Sequence, residues 1–431
     1  MSVLFPVDLY DETSYIQGTE VFLVEEEHYF NRSSKKAGSL RFNILKPIYH
    51  RATMKAYCDK LKTKRIKCHY IDYDPKKSRN QWIQVVKEWV KTHGSNLQFF
   101  DPVDRTLEQI IDQNFDQYDI INTPRFILTD QELEQYNGPL RQTSFYSWVR
   151  LSKDILMKKQ KTNKPLPEGG KMTFDVENRK SPYPGIEADI QEDPDYRNNP
   201  YIVDTIKWVE HHYPIKNYRI WKNDSQDHIF DSLDIKFPVD TRNARLRLRY
   251  FIKNNLDQFG DYQDVLLDLP DKSLLFHSGL SPMLNIGLLT PDEVISAVIE
   301  YYEMKSPKQR KQILHNVEGF IRQILGWREF CRYIYEYHSD IYLSNGMNNN
   351  FFNSNQKLGS EWYSGTTDIY PIDQCIEKAF RTGYLHHIER LMVVANFMTI
   401  SNIQPSDMYK WFMEFSLDSY DWVMEYNVYC M

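Results

Sequence analysis

Apolar and polar positions along residues 1–150 switch between two periods, which predicts strands alternating with helices. Val21-Phe22-Leu23-Val24 is a short continuous apolar run of the kind buried in a parallel sheet. Residues 66–73 (IKCHYIDY) and 97–100 read as two more strands, while 47–61 and 81–93 carry helical spacing. Strand and helix in turn predict a parallel sheet with covering helices. Over 158–199 the composition shifts to Lys, Pro, Asp, Asn and Gly, which predicts a long exposed connection. Its basic run, 158–164, is open between a solvated linker and a phosphate contact. After Tyr201 the pattern turns almost wholly helical, over 205–212, 244–256, 291–303, 307–325, 371–382, 384–398 and 405–414. Thr290-Pro291-Asp292-Glu293 carries the signature of a capping box, and the Asn-rich stretch 344–355 reads as a loop. The organisation expected is an α/β unit over 1–150, a connector over 151–200 and a helical unit over 201–431.

Composition narrows the function classes. A chain of 431 residues with 41% hydrophobic content fills two or three globular cores. The 30 Tyr and 23 Phe suit stacking on planar groups, or simply aromatic cores. A net charge of −6 excludes a wholly basic nucleic-acid binder and leaves room for one local positive face. The cysteines, Cys58, Cys68, Cys331, Cys375 and Cys430, form no CxxC pair, which points to reduced thiols in an intracellular compartment. No secretory signal or membrane-length apolar stretch is present, so no membrane partner is expected. Without GxGxxG or a P-loop, a standard dinucleotide or triphosphate site is unsupported.

Candidate chemistry gathers in the helical half. Residues 383–392 read Gly-Tyr-Leu-His-His-Ile-Glu-Arg-Leu-Met. His386 and His387 give two rings that change charge near neutral pH, and on a helix Arg390 shares a face with each. Such a pair beside a fixed cation suits acid/base work on an anionic ligand; a satisfied histidine pair gives the same string. In 277–287 (HSGLSPMLNIG), Ser278 and Ser281 offer hydroxyls near a helix start, suited to phosphate or to capping. Residues 316–330 (NVEGFIRQILGWREF) set Glu318, Arg322 and Arg328 in a largely apolar helix, and WFME at 411–414 precedes DSYDWVMEYNV at 418–428.

In this order and spacing the segments resemble the photolyase–cryptochrome superfamily, above all its prokaryotic (6-4) photolyase-like branch, whose members carry an iron–sulfur cluster. GGKMTFD at 169–175, ENRK at 177–180 and FGDYQD at 259–264 extend the resemblance over nearly the whole chain. It implies an N-terminal α/β, Rossmann-like antenna domain and an all-α C-terminal FAD-binding domain. It also implies light-driven repair of UV-induced (6-4) photoproducts, by electron transfer from photoexcited reduced FAD to a base flipped out of DNA. Ser278 and Ser281, with His277 and Leu280 in the same segment, match the group that holds the FAD phosphates, and Asn285 lies one turn on. Arg390 and Asp418 match the Arg–Asp pair beside the isoalloxazine, with Asp421 a competing candidate, and Asn427 resembles the residue facing the flavin's reactive nitrogen. His386 and His387 match the double histidine whose imidazolium acts as general acid on the lesion. Glu318 matches a contact to the lesion bases. Arg322 and Arg328 are open between DNA phosphate, the flavin region and internal salt bridges.

Two departures stand out. Trp411 aligns with one tryptophan of the photoreduction chain, but the other falls at Tyr363, beside Trp362, and tyrosine is the harder to oxidise. Of the cluster cysteines, only Cys375 lies near an expected position, and three would lie beyond Met431, so no iron–sulfur cluster and a shortened C-terminus are expected. A lumazine-type or other antenna chromophore would sit in the N-terminal domain, where His28, Tyr29 and Lys46 occupy plausible positions. A monomer is expected, with UV-damaged DNA as partner. A basic patch of Lys305, Lys308, Arg310 and Lys311 would meet the DNA, or is a solvated helix face. Two alternatives remain: a repair-inactive, light-sensing cryptochrome-type flavoprotein, or a fragment completed by a second chain.

Overall fold

Short apolar runs in the first third of the chain assemble into one parallel sheet. In the computed structural model, which describes residues 1–430 except 17, 35–37, 77–80, 95, 159–164, 222–229, 348–349 and 351, its strands are β1 (Ser2–Leu4), β2 (Glu20–Val24), β3 (Lys67–Ile71), β4 (Leu97–Phe100) and β5 (Tyr118–Ile121). They lie in the order β3-β2-β1-β4-β5. The central strand β1 is too short to show a period; it is made a strand by its neighbours, Val3 pairing with Phe22 on one side and Phe99 on the other. The helices Leu45–Thr63, Gln81–His93 and Arg105–Asn114 alternate with the strands. Asp104 caps the last of them by accepting the N–H groups of Thr106 and Leu107.

The expected exposed connection is less free than its composition implies. Arg179 and Lys180 donate backbone N–H groups to the carbonyls of Gly260 (3.1 Å) and Asp261 (2.6 Å), and Phe174 and Asn178 are buried. Of the basic run, residues 159–164 lie outside the described residues.

The rest is helical. Thr290 caps Pro291–Glu303 through the N–H of Glu293, with Pro291 in the first turn. The reciprocal half of the predicted capping box gives way to an ion pair, because the Glu293 carboxylate turns to Arg245. Two predicted helices change pitch. Pro307–Arg322 widens into a π-helical segment at Gln323–Arg328 before continuing as Glu329–Met347. The helix expected over 384–398 starts only at His387, passes through a second π segment at Glu389–Ala395 and ends at Ile400. The helix to Met347 takes in the start of the predicted Asn-rich loop, of which 348, 349 and 351 lie outside the described residues.

One hydrophobic cluster runs from the sheet into the helical part. Main-chain hydrogen bonds cross between them, from Leu9 to Ile286 (3.0 Å), Asn43 to Glu414 (2.7 Å) and Ile44 to Arg219 (2.9 Å). No helix among the described residues is long and apolar enough to cross a membrane.

His50 sits inside this seam, fully buried among the rings of Tyr29, Phe30, Tyr49 and Tyr420, with no hydrogen-bond partner for either ring nitrogen. Burial, and then the nearby Lys46 cation, hold its pKa well below that of a free imidazole. The folded state therefore stays unprotonated where the unfolded chain takes up a proton, so this group makes stability fall with falling pH. Relative to His50→Phe, the wild type is expected to lose about 1.4 kcal/mol per pH unit below about pH 6.5. Urea unfolding of both proteins at several pH values checks this; a stability difference independent of pH contradicts it.

Candidate functional site

Gly383 ends the helix Tyr370–Thr382 in the left-handed region (φ +67°), where a Cβ would meet Leu417 at 2.7 Å. The turn it makes carries the chain to His386 and His387 at the wall of a cavity of about 530 Å³. That volume suits a sizeable organic ligand. Much of the lining comes from the turn at 277–280 and the short helix Ser281–Asn285, both π-helical segments and the two last helices, Pro405–Phe415 and Asp421–Tyr429. A π turn inserts a residue and re-aims side chains. One segment presents Trp327 and Arg328, the other Arg390 and Met392.

Charge on the cavity floor is paired. Arg390 grips Asp418 with both ends of its guanidinium, at 2.9 and 3.1 Å, and donates Nε–H to the Leu385 carbonyl at 2.6 Å. Asp418 also accepts the hydroxyls of Ser281 (2.5 Å) and Ser416. Burial alone would raise the Asp418 pKa, but Arg390 and these hydroxyls hold it below the ordinary value. Asp421, the competing candidate, lies elsewhere: Arg32 grips it at 2.6 and 2.9 Å, and the Tyr409 hydroxyl donates to it. Asn285 donates to the Asp418 carbonyl at 2.9 Å and accepts from Arg328. Arg328 lies 4.7 Å from the Trp422 ring and 4.9 Å from Phe126, and spends its other N–H groups on the Arg125 and Leu284 carbonyls. Burial lowers its pKa to about 10.

The histidines differ in placement. His387 is exposed to the cavity, with its ring 6.5 Å from that of Trp327. His386 is buried behind it and stacks on His277, centroids 4.5 Å apart and planes at 15°. Protonation near neutral pH is opposed at all three rings here. The surrounding protein, and then Arg390, push the pKa of His387 down to about 4 even though the ring reaches the cavity; burial holds His386 and His277 well below the ordinary value. The predicted helical face linking His386 to Arg390 is absent too, since His386 precedes the helix.

His277, Ser278, Leu280, Ser281, Asn285, Arg390, Asp418 and Asn427 all line the cavity. Glu318 does not. It is fully buried, accepting from the Tyr146 hydroxyl (2.8 Å), the Phe174 N–H (3.0 Å) and Arg322 (3.3 Å), which leaves it unavailable to a lesion base. Arg322 is committed to Glu318 and to Asp175 at 2.9 Å, an internal ion-pair cluster rather than a DNA contact. Lys308 and Lys311 are exposed, whereas Lys305 pairs with Asp257 at 3.5 Å and Arg310 donates to the Lys305 carbonyl. Trp411 is buried, donates to the Trp362 carbonyl at 2.8 Å, and lies 5.2 Å from Phe412, a lining residue. Tyr363 packs under the Arg219 guanidinium at 3.6 Å, and burial, then Glu414, raise its pKa, so its proton leaves less readily. Phe259, Gln323, Tyr384 and Met392 also line the cavity; they lie within the motif segments but carry no residue-level signal of a role, and Asn396 lies outside those segments.

The proposed antenna residues are spent on internal contacts. His28 bonds Asp104 at 2.8 Å, and Lys46 donates to the Ser419 carbonyl at 2.6 Å beneath Phe42 and Tyr420. Among the described residues, His28, Asp104 and Asp421 bring ligand atoms within 4.8 Å of one another. Arg32 on Asp421 already supplies the positive charge there.

Residues 3–217 match the family model for deoxyribodipyrimidine photo-lyase-related protein, and residues 320–429 that for the FAD binding domain of DNA photolyase. A (6-4) photolyase from Agrobacterium fabrum is 31% identical over 316 residues, covering 72% of this chain and 56% of the relative; the chain thus spans little more than half of that protein's length. A bacterial class III photolyase from Agrobacterium tumefaciens shares the fold with a TM-score of 0.61 at 15% identity, over 99% of this chain and 78% of that one. A cryptochrome from Synechocystis sp. PCC6803 does so with a TM-score of 0.63 at 13% identity, over 99% and 81%.

Asp418→Ala leaves the half-buried Arg390 cation without its carboxylate. It is expected to cost about 3–5 kcal/mol of stability, read by urea unfolding. A loss under about 1 kcal/mol contradicts the pair's role as the buried tie across the cavity.

Proposed function

This chain belongs to the photolyase/cryptochrome superfamily, and from that premise we propose that it is a FAD-dependent enzyme that uses light to repair (6-4) pyrimidine photoproducts in DNA. The observation that carries the reading is the presentation of His387 to a cavity whose floor is the Arg390–Asp418 pair.

The cavity fits the cofactor. Its walls are aromatic and aliphatic, two guanidinium groups stand in its floor, and the buried Trp327 Nε1 and His277 Nε2 have no hydrogen-bond partner. Ser278 and Ser281 would hold the phosphates, Arg328 and Asn285 would face the anionic part of the ligand, and Arg390 with Asp418 would orient the ring system. Reduced FAD, when excited by light, supplies one electron. Trp411, Trp362 and Tyr363 are assigned to electron supply from the protein side, with the raised pKa of Tyr363 slowing its part.

His387 is assigned the role of general acid. Its depressed pKa opposes protonation in the open cavity, but the negative charge of a flavin and a nucleic-acid strand would counter the Arg390 cation and raise it. Repair is therefore expected to fall as pH rises through the pKa of the loaded site. His387→Ala is expected to lower repair of (6-4) lesions by about 10²–10⁴-fold while the protein still retains flavin. Product analysis after illumination at several pH values checks both; repair unchanged in the variant contradicts the assignment.

DNA would meet the exposed Lys308 and Lys311 at the start of Pro307–Arg322. Replacing both by Gln is expected to weaken binding at low salt and to reduce the slope of log K against log salt by about two. An unchanged slope rejects the patch.

A light-sensing flavoprotein of the same fold is the second reading. What favours it is the enclosure of Glu318 away from the cavity. Yellow protein that photoreduces and leaves (6-4) lesions intact would support it.

A further inference from the structure

Behind the cavity wall, the histidine pair rests on charged groups that the functional reading does not use. Glu389 accepts the backbone N–H of His386 at 3.0 Å, as a residue three positions on does in half of a capping box, and its Oε2 lies 3.5 Å from His386 Nε2. Lys378, from the helix Tyr370–Thr382, grips both oxygens of Glu389 at 2.7 and 2.8 Å and donates to the Ser273 carbonyl at 2.7 Å. His277, from a third segment, stacks on the opposite side of His386. The groups that face the pair are thus Lys378 and Glu389 behind, His277 on the stacked face, and Arg390 beside it, with the Cys375 thiol against Glu389 and Lys378.

We infer that Glu389, Lys378 and His277 are positioning residues for the histidine pair: they fix where the helix starts, aim His387 into the cavity, and set how readily the pair takes up a proton. The reasoning is geometric. A carboxylate that holds the N–H of His386 fixes the first turn, and the next residue in that turn is His387. The same carboxylate facing Nε2 favours the tautomer with hydrogen on Nε2 and leaves Nδ1, which has no partner, without a proton. The parallel stack on His277 keeps the ring from turning. Lys378 cancels the charge of Glu389, so the pair faces a neutral assembly. This array serves general acid chemistry only if His387 is the acid, so its catalytic meaning rests on that reading; its electrostatic effect does not.

The cancellation makes the inference testable. Removing the carboxylate leaves an uncompensated cation beside the pair, and removing the ammonium leaves an uncompensated anion. In purified full-length protein with carbon-13-labelled histidine rings, the resonance of His386, the ring that faces Glu389, is identified by its loss in His386→Gln. Lys378→Gln is expected to raise its titration midpoint by on the order of one pH unit, Glu389→Gln to lower it, and the double variant to return it close to wild type. The pH profile of repair is expected to move in the same directions. Midpoints that stay in place, or that move the same way in both single variants, overturn the inference, and Lys378→Gln alone decides this if Glu389→Gln does not fold. Opposite shifts in a protein that repairs no lesion uphold the array and count against the repair function instead.

Discussion

Arg390 and Asp418 face each other fork to fork at the bottom of the cavity, and each belongs to a different wall. A pair removed from water gains little net energy, but losing either partner leaves a bare charge in a low-dielectric site. Several of the segments that line the cavity are tied to this contact. Arg390 also holds the Leu385 carbonyl, just before the histidines, while Asp418 collects Ser281 and Ser416, and its carbonyl collects Asn285. The segment at 277–285, the histidine turn and the stretch before the last helix are therefore registered against one another by a single ion pair and its hydrogen bonds.

The sheet acts on the site from behind. Parallel strands bury both faces, so the loops at their ends pack against other structure rather than solvent. Leu9, in the loop after β1, bonds Ile286, and the carbonyl of Arg125, after β5, accepts twice from Arg328. Arg328 reaches Asn285, and Asn285 reaches Asp418. A chain of hydrogen bonds thus runs from the sheet to the cavity floor. The helical part is not an independent bundle but is held to the sheet through these contacts.

Much of this was legible in the residues, though not all for the same reason. The apolar runs at Val21 to Val24 and Leu97 to Phe100 announced a parallel sheet because burial on both faces leaves no alternation. β1 was silent because three residues carry no period. The helical periodicity over 384–398 was real but misplaced His386, since Gly383 ends the preceding helix and the next begins only at His387. Asp421, the competing candidate, begins the last helix, whereas Asp418 precedes it. Glu318 and Arg322 were read from their own helix alone. Tyr146, Phe174 and Asp175, distant in sequence, are what enclose them. Likewise no local pattern connects Lys378 to Glu389, or His277 to His386.

If the Arg390–Asp418 pair and the segment at 277–285 form a flavin cavity, the protein is coloured. The most direct measurement is the visible absorption spectrum of the purified full-length protein, with the released chromophore identified and counted. The expected result is flavin absorption from FAD at close to one molecule per chain, lost in Arg390→Ala protein that remains folded. Folded wild-type protein that is colourless, and stays so after incubation with FAD, would contradict it.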